Sequence, residues 1–239
     1  MPYVRNDGVA IHYRTEGEGV PLVLQHGTTG SWEDWAELGY AQELRHSYRL
    51  VLIDARGHGA SDKPHDPNAY DLALLAGDVV SVLDDLGIRQ AHYFGASLGG
   101  WIGFGLARYA PERVSSLILG GAHAYAEDMQ PFRDIMPRDL QAFMASMEKI
   151  YGSALSPALR ERLQRNDLQA LSIMTQDRPS LADILPSIAV PCLLFAGEAD
   201  PRFEKARQCA RSIANAKFFS LPGRNHAGTL TARDEFCLM

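Results

Sequence analysis

Short apolar runs and longer amphipathic stretches alternate along this chain. The runs are Pro21–Gln25 (PLVLQ), Leu50–Ile53 (LVLI), Ala91–Phe94 (AHYF), Ser116–Leu119 (SLIL), Val190–Ala196 (VPCLLFA) and Lys217–Leu221 (KFFSL). Runs of this length suit strands covered on both faces, as in a parallel sheet. Ahead of them, Asn6-Asp7-Gly8 is turn chemistry between Tyr3–Arg5 and Val9–Arg14, and predicts a hairpin. Helical periodicity fills the gaps. Over Tyr70–Leu86, Leu72, Leu75, Val79, Leu83 and Leu86 recur at three- and four-residue steps, Asp71, Asp78, Asp84 and Asp85 point elsewhere, and Gly87 supplies a stop. Ser97–Tyr109 predicts a second helix that ends before Pro111. Residues 31–46 predict a third with Ser31 as its N-cap, and Asp200-Pro201 opens a fourth. Strands alternating with helices predict βαβ units and an α/β fold.

The rhythm breaks between about Ala122 and Pro186, which reads as two or three helices with no strand between them. We therefore expect a core made of residues 1–121 and 187–239, with 122–186 inserted as a helical cap. The internal methionines Met129, Met136, Met144, Met147 and Met174 all fall in this stretch. Methionine suits a surface that adapts to varied apolar ligands, although helical spacing assigns some of them to the insert's own core.

Composition narrows the class. The chain has 239 residues, 46% of them hydrophobic and 22% charged, which fits one large globular domain or one domain with an insert. The formal charge of −6 is spread along the chain without a basic run, so nucleic acid is not an expected partner. The start has no apolar segment of the signal-peptide kind, and no run approaches the ~18 residues needed to cross a bilayer. Cys192, Cys209 and Cys237 are widely spaced and odd in number, which points to a reducing, cytoplasmic setting without a disulfide framework. No spacing of Cys or His suits a structural zinc, and neither a metal nor a cofactor is expected.

Residues 94–100 read FGASLGG and contain G-x-S-x-G at Gly95, Ser97 and Gly99. Common residues give the pattern little weight alone. Its place between a predicted strand and a predicted helix is what a nucleophile elbow requires. There the flanking positions must be small because the chain turns sharply, and the helix N-terminus offers free N–H groups and partial positive charge. A nucleophilic serine needs a base. In this type of site the order is serine, acid, histidine. Only His123 and His226 follow Ser97. His226, in the loop after the last strand (LPGRNHAG), is the expected base, and His123 reads as pocket lining. Asp200, at the end of VPCLLFAGEAD, is the expected acid, with Glu198 as its rival. The oxyanion donors expected are the backbone N–H groups of Leu98, next after the nucleophile, and of Thr28, in QHGTTG.

Taken together, LVLQHGTTGSWEDW (22–35), LIDARGHGASDKP (52–64), HYFGASLGGW (92–101), YAPERVSSLIL (109–119), LLFAGEAD (193–200) and LPGRNHAG (221–228) resemble the α/β-hydrolase fold superfamily, in particular its serine esterases and enol-lactonases. The resemblance spans nearly the whole chain outside the cap. It implies an eight-stranded, mostly parallel sheet with helices on both faces, the first hairpin and one further strand being antiparallel or edge-like. It also implies that DxRGxGxSD (Asp54 to Asp62) shapes a loop near the site, where Arg56 and Asp62 are expected to pair. Two departures stand out. Ala96 precedes Ser97 where many relatives carry a larger residue, and only Gly228–Met239 follows the histidine, which points to a shortened final helix, a dimer contact or a truncated chain.

A serine at the elbow argues against epoxide hydrolases and haloalkane dehalogenases of this fold, which use aspartate. The expected reaction is hydrolysis of a small, largely apolar carboxylic ester. Enol-lactonase, C–C hydrolase and cofactor-free perhydrolase chemistry share the same triad, and a non-catalytic small-molecule receptor or scaffold is the rival outside enzymes. The expected pocket lining is Trp32, His123, Tyr125, Phe132, Phe143, Met144 and Met147, with Arg133 and Arg138 as the arginines available to a substrate carboxylate. The partner is thus a small ester or lactone, with the protein a monomer or homodimer.

Overall fold

The apolar runs become strands of one eight-stranded sheet in the order β1-β2-β4-β3-β5-β6-β7-β8. In this computed structural model, which describes residues 2–135, 139–151, 155–231 and 233, the strands are β1 Tyr3–Asn6, β2 Val9–Glu16, β3 Val20–Gln25, β4 Tyr48–Ile53, β5 Ala91–Ala96, β6 Val114–Gly120, β7 Cys192–Gly197 and β8 Ala216–Leu221. Asp7 (φ 50°) and Gly8 (φ 78°) both turn left-handed between β1 and β2, as a two-residue hairpin demands. β2 pairs antiparallel with both β1 and β4, and every later pairing is parallel. The expected hairpin is thus present, and β2 is the one strand that runs against its neighbours.

Period-two alternation divides the sheet's side chains between two apolar layers. On one face Val23, Val51, Ile53, Leu117, Leu119 and Leu194 pack against α3 (Leu72–Asp85), α4 (Leu98–Tyr109) and α9 (Phe203–Ser212). On the other, Leu22, Leu24, Leu50, Leu52, Phe94, Phe195 and Leu221 pack with Trp35 and Tyr40 of α1 (Trp32–Glu37) and α2 (Tyr40–Leu44). Residues 31–46 thus form two short helices, not one, because Gly39 takes φ 80° between them. Ser31 does cap α1, accepting the Glu33 N–H while the Asp34 carboxylate accepts the Ser31 N–H. α9 starts at Phe203, three residues after Asp200.

Two electrostatic expectations are corrected. Arg56 does not pair with Asp62. Its Nε and Nη2 donate to the Asp78 carboxylate at 2.7 and 2.6 Å, with both side chains buried. Asp62 instead accepts the Ala10 N–H at 2.8 Å. Asp78, read from periodicity as facing away from the core, is only 2% exposed.

Between β6 and β7 lie α5 (Gln130–Asp134), α6 (Leu140–Tyr151), α7 (Pro157–Gln164) and α8 (Leu168–Met174), more helices than the two or three expected. Phe143, Met144, Met147, Leu163 and Leu171 form a small core of their own there. A bridge of two backbone hydrogen bonds between Glu127 and Arg178 joins the two ends of this segment. Met136, Arg138, Cys237 and the terminal residues 234–239 lie outside the described residues. Among the described residues no helix is long and apolar enough to cross a membrane.

Candidate active site

β5 ends at Ala96 and α4 begins at Leu98, so Ser97 alone makes the turn, at φ 53° and ψ −107°. This is a region that side-chain-bearing residues rarely occupy. The turn is held from several sides. Ser97 N–H donates to Gly120 O at 2.7 Å, Gly99 N–H donates to His26 O, and the Tyr93 hydroxyl donates to Gly99 O. A Cβ at Gly95 would stand 2.2 Å from Gly99 O, and one at Gly99 would stand 2.2 Å from Gln25 O. Only hydrogen fits at either glycine, which is the physical content of the G-x-S-x-G spacing.

Three expected residues meet here although they lie far apart in sequence. His226 Nε2 is 2.9 Å from Ser97 Oγ, and His226 Nδ1 is 2.6 Å from Asp200 Oδ2. A carboxylate only accepts, so the ring carries its proton on Nδ1, and Nε2 is left to accept the Ser97 hydroxyl hydrogen. Asp200 is 4% exposed. Burial by itself would raise its carboxyl, but the His226 hydrogen bond and charge, with the N–H and charge of Arg202, hold it below the ordinary carboxylate range. Its two oxygens divide the work: Oδ2 takes His226, while Oδ1 accepts the Arg202 N–H at 2.9 Å and shapes the turn into α9. Glu198, the rival acid, is exposed and accepts the Ser220 hydroxyl instead.

Gly121 is a site residue the sequence reading missed. It sits at φ 58°, and a Cβ there would lie 3.0 Å from His226 Cε1, 3.1 Å from Nδ1 and 3.3 Å from Asp200 Oδ2. The Gly120-Gly121 pair at the end of a predicted strand was the available signal.

The other side of Ser97 is the loop after β3. A Cβ at Gly27 would be 3.3 Å from Ser97 Cβ, so this backbone runs against the serine. Among the described residues, the N–H groups of Thr28 and Leu98 have no hydrogen-bond partner. His26 accepts the Ala55 N–H through Nε2 and donates from Nδ1 to Gly27 O at 2.7 Å. Asp54 accepts the N–H groups of Trp32 and Ala60, which ties the DARGHGASD loop to the start of α1. Two free N–H donors beside a hydrogen-bonded Ser-His-Asp chain can hold negative charge growing on a carbonyl oxygen.

The expected pocket residues fall into separate groups. Phe143, Met144 and Met147 are core residues of the helical segment, and Phe132 packs on the edge of that core. Trp32 lies with the α1–α2 layer, the Arg14 guanidinium 4.0 Å above its ring. Tyr125 packs against the α3–α4–α9 layer, near Cys209 and Ser212. His123 is buried beside Glu127, and burial pushes it down to about 4 despite that neighbour's charge. Glu127 also pairs with Arg202 at 2.6 Å and Arg178 at 3.3 Å. Arg133 is engaged by Asp177 and Thr175 O.

A model of the alpha/beta hydrolase fold matches residues 20–167. The chain is 29% identical over 224 residues to a putative 2-succinyl-6-hydroxy-2,4-cyclohexadiene-1-carboxylate synthase of Bacillus subtilis, covering 83% of this chain and 81% of that one. An enol-lactonase from Burkholderia xenovorans superposes with a TM-score of 0.84 at 25% identity, over 98% of this chain and 96% of its own. An esterase from Rhodococcus sp. ECU1013 gives 0.85 at 26% identity, over 98% and 94%.

Proposed function

The chain belongs to the alpha/beta hydrolase fold family, and on that premise we propose that it hydrolyses small carboxylic esters through an acyl-enzyme on Ser97. The observation that carries this reading is the continuous hydrogen-bond chain Ser97–His226–Asp200 next to two unpaired backbone N–H groups. Ser97 Oγ attacks the ester carbonyl carbon while His226 Nε2 takes its proton. The carbonyl oxygen becomes an oxyanion between the Thr28 and Leu98 N–H groups, assisted by the α4 N-terminus. His226 then protonates the departing alcohol, and the acyl group stays on Ser97. Water next attacks the acyl carbon with His226 again as base, releasing the acid and restoring the serine. Asp200 keeps the imidazole in the required tautomer and stabilises its cation.

The helical segment 122–186 serves as the cap that shapes substrate access. A lactone substrate is the second reading, favoured by the enol-lactonase likeness. It changes only the leaving group, an alkoxide tethered to the acyl chain. Burial of Cys192 and Cys209 as free thiols goes with a cytoplasmic setting. The test is turnover of p-nitrophenyl esters of graded chain length, with a lactone series beside them, by the wild type and Ser97→Ala. Turnover that disappears in Ser97→Ala supports the acyl-enzyme. Full activity in that variant would exclude it.

A further inference from the structure

The loop that carries the Thr28 N–H closes as a four-residue turn, with Gly30 N–H donating to Gly27 O at 3.1 Å. Thr28 and Thr29 are its central residues, and Thr29 has φ 70°. That angle belongs to the third position of a type II turn, which calls for glycine or asparagine. A β-branched residue is strained there, so left alone the turn would relax and carry the Thr28 N–H with it. The support comes from the helical segment. Asn166 Nδ2 donates to Thr29 O at 3.1 Å and to Leu163 O at 3.2 Å. Both neighbours are carbonyl oxygens, so the amide has only one satisfactory orientation, and it ties the end of α7 to the turn. The Tyr151 hydroxyl at the end of α6 meets the Thr29 side chain. One turn earlier on α7, Arg162 pairs with Asp34 at 2.9 Å and with Glu37. Asp34 is the residue whose other oxygen accepts the Ser31 N–H at the foot of the same loop.

We propose that Asn166, aided by Tyr151 and Arg162, is a positioning residue for the oxyanion site, so that the segment between β6 and β7 completes the hole as well as bounding the pocket. The inference rests on the acyl-transfer reading of Ser97. It makes docking of the helices and competence of the hole one event: a hydrolase stripped of this segment keeps its serine, histidine and aspartate and loses the held donor.

The test compares Asn166→Ala and the isosteric Asn166→Asp with the wild type. Arg160→Ala, which removes a pair with Glu148 inside the segment, serves as control. The readouts are kcat and KM on the best ester, the inhibition constant of an alkyl trifluoromethyl ketone, whose adduct places an oxyanion in the hole, and the melting midpoint. Removing the tether is expected to lower kcat about tenfold with KM within about threefold, and to weaken the ketone by the same factor as kcat. Asn166→Asp loses more, because its carboxylate opposes the Thr29 carbonyl, and Arg160→Ala matches the wild type. If both Asn166 variants keep kcat and ketone affinity within twofold, whatever their melting midpoints, Asn166 is only structural and the proposal fails. If the wild type itself neither hydrolyses esters nor binds the ketone, the reading of Ser97 fails first and takes this one with it.

Discussion

Adding one methyl group at Gly121 tests the geometry of the site without touching any of its reacting groups. Gly121→Ala has two costs. The first is the backbone: φ 58° is left-handed, where a Cβ costs about 1–2 kcal/mol. The second is contact, because the new carbon stands 3.0–3.3 Å from His226 and Asp200, so the imidazole must shift by a few tenths of an ångström. Gly87→Ala isolates the first cost. Gly87 ends α3 with φ 64°, and a Cβ there meets nothing within 4 Å. Both variants should melt lower by about 2–8 °C, taking about 2–4 °C per kcal/mol for a chain of this size. Only Gly121→Ala should lose turnover, by roughly 10- to 100-fold in kcat, since small misplacements of a reacting group are costly. Circular-dichroism melts and initial rates on a chromogenic ester measure the two effects. Equal kcat in the two variants would refute the argument that the His226–Asp200 pair leans on this glycine.

Asp200→Asn should preserve the fold and lower kcat on the order of 10⁴-fold, because an amide no longer selects the tautomer with hydrogen on Nδ1; a loss below tenfold would transfer the acid role elsewhere. Arg56→Ala strands the buried Asp78 carboxylate and should cost about 3–5 kcal/mol in urea unfolding, against under 1 for an ordinary surface arginine. His123 titrates near 6.5 when unfolded and near 4 when folded, so below pH 6.5 the unfolded chain binds the extra proton and stability falls with pH. Between neutral pH and pH 4.5 this single group should account for about 2–3 kcal/mol. His123→Leu should be less acid-sensitive by that amount, and an unchanged pH slope would show that the ring is not held neutral.

What the sequence made legible follows from the range of the forces involved. A strand buried on both faces must be apolar throughout, so six of the eight strands stood out as runs, and β1 and β2 were betrayed by the Asp7-Gly8 turn between them. The elbow was readable because it compresses a steric demand into a few adjacent positions. Chain order then pointed to His226 and Asp200, and the folded chain brings both to Ser97. Long-range electrostatics were not readable. Arg56 had a charged neighbour at Asp62 and chose Asp78, because only a buried, bidentate partner offsets the cost of burying a guanidinium. The break at Gly39 was hidden because a helix of periodic sequence and two helices at an angle share one pattern until the backbone turn is seen. Contacts of Asn166 and Tyr151 with Thr29, and of Arg162 with α1, depend on how the helical segment docks, and apolar spacing says nothing of that.

The bridge between Glu127 and Arg178 has an evolutionary corollary. Two backbone hydrogen bonds pin the entry and exit of the helical segment to each other, so the chain enters and leaves the part that carries α5 to α8 at one residue pair. Lengthening a loop closed by such a pair is cheap, about 0.6 kcal/mol for each doubling. New specificities can thus be sampled by exchanging whatever lies beyond that pair as a cassette while the sheet stays as it is. The exchange carries one condition: any replacement must again present a hydrogen-bond donor to the carbonyl of Thr29.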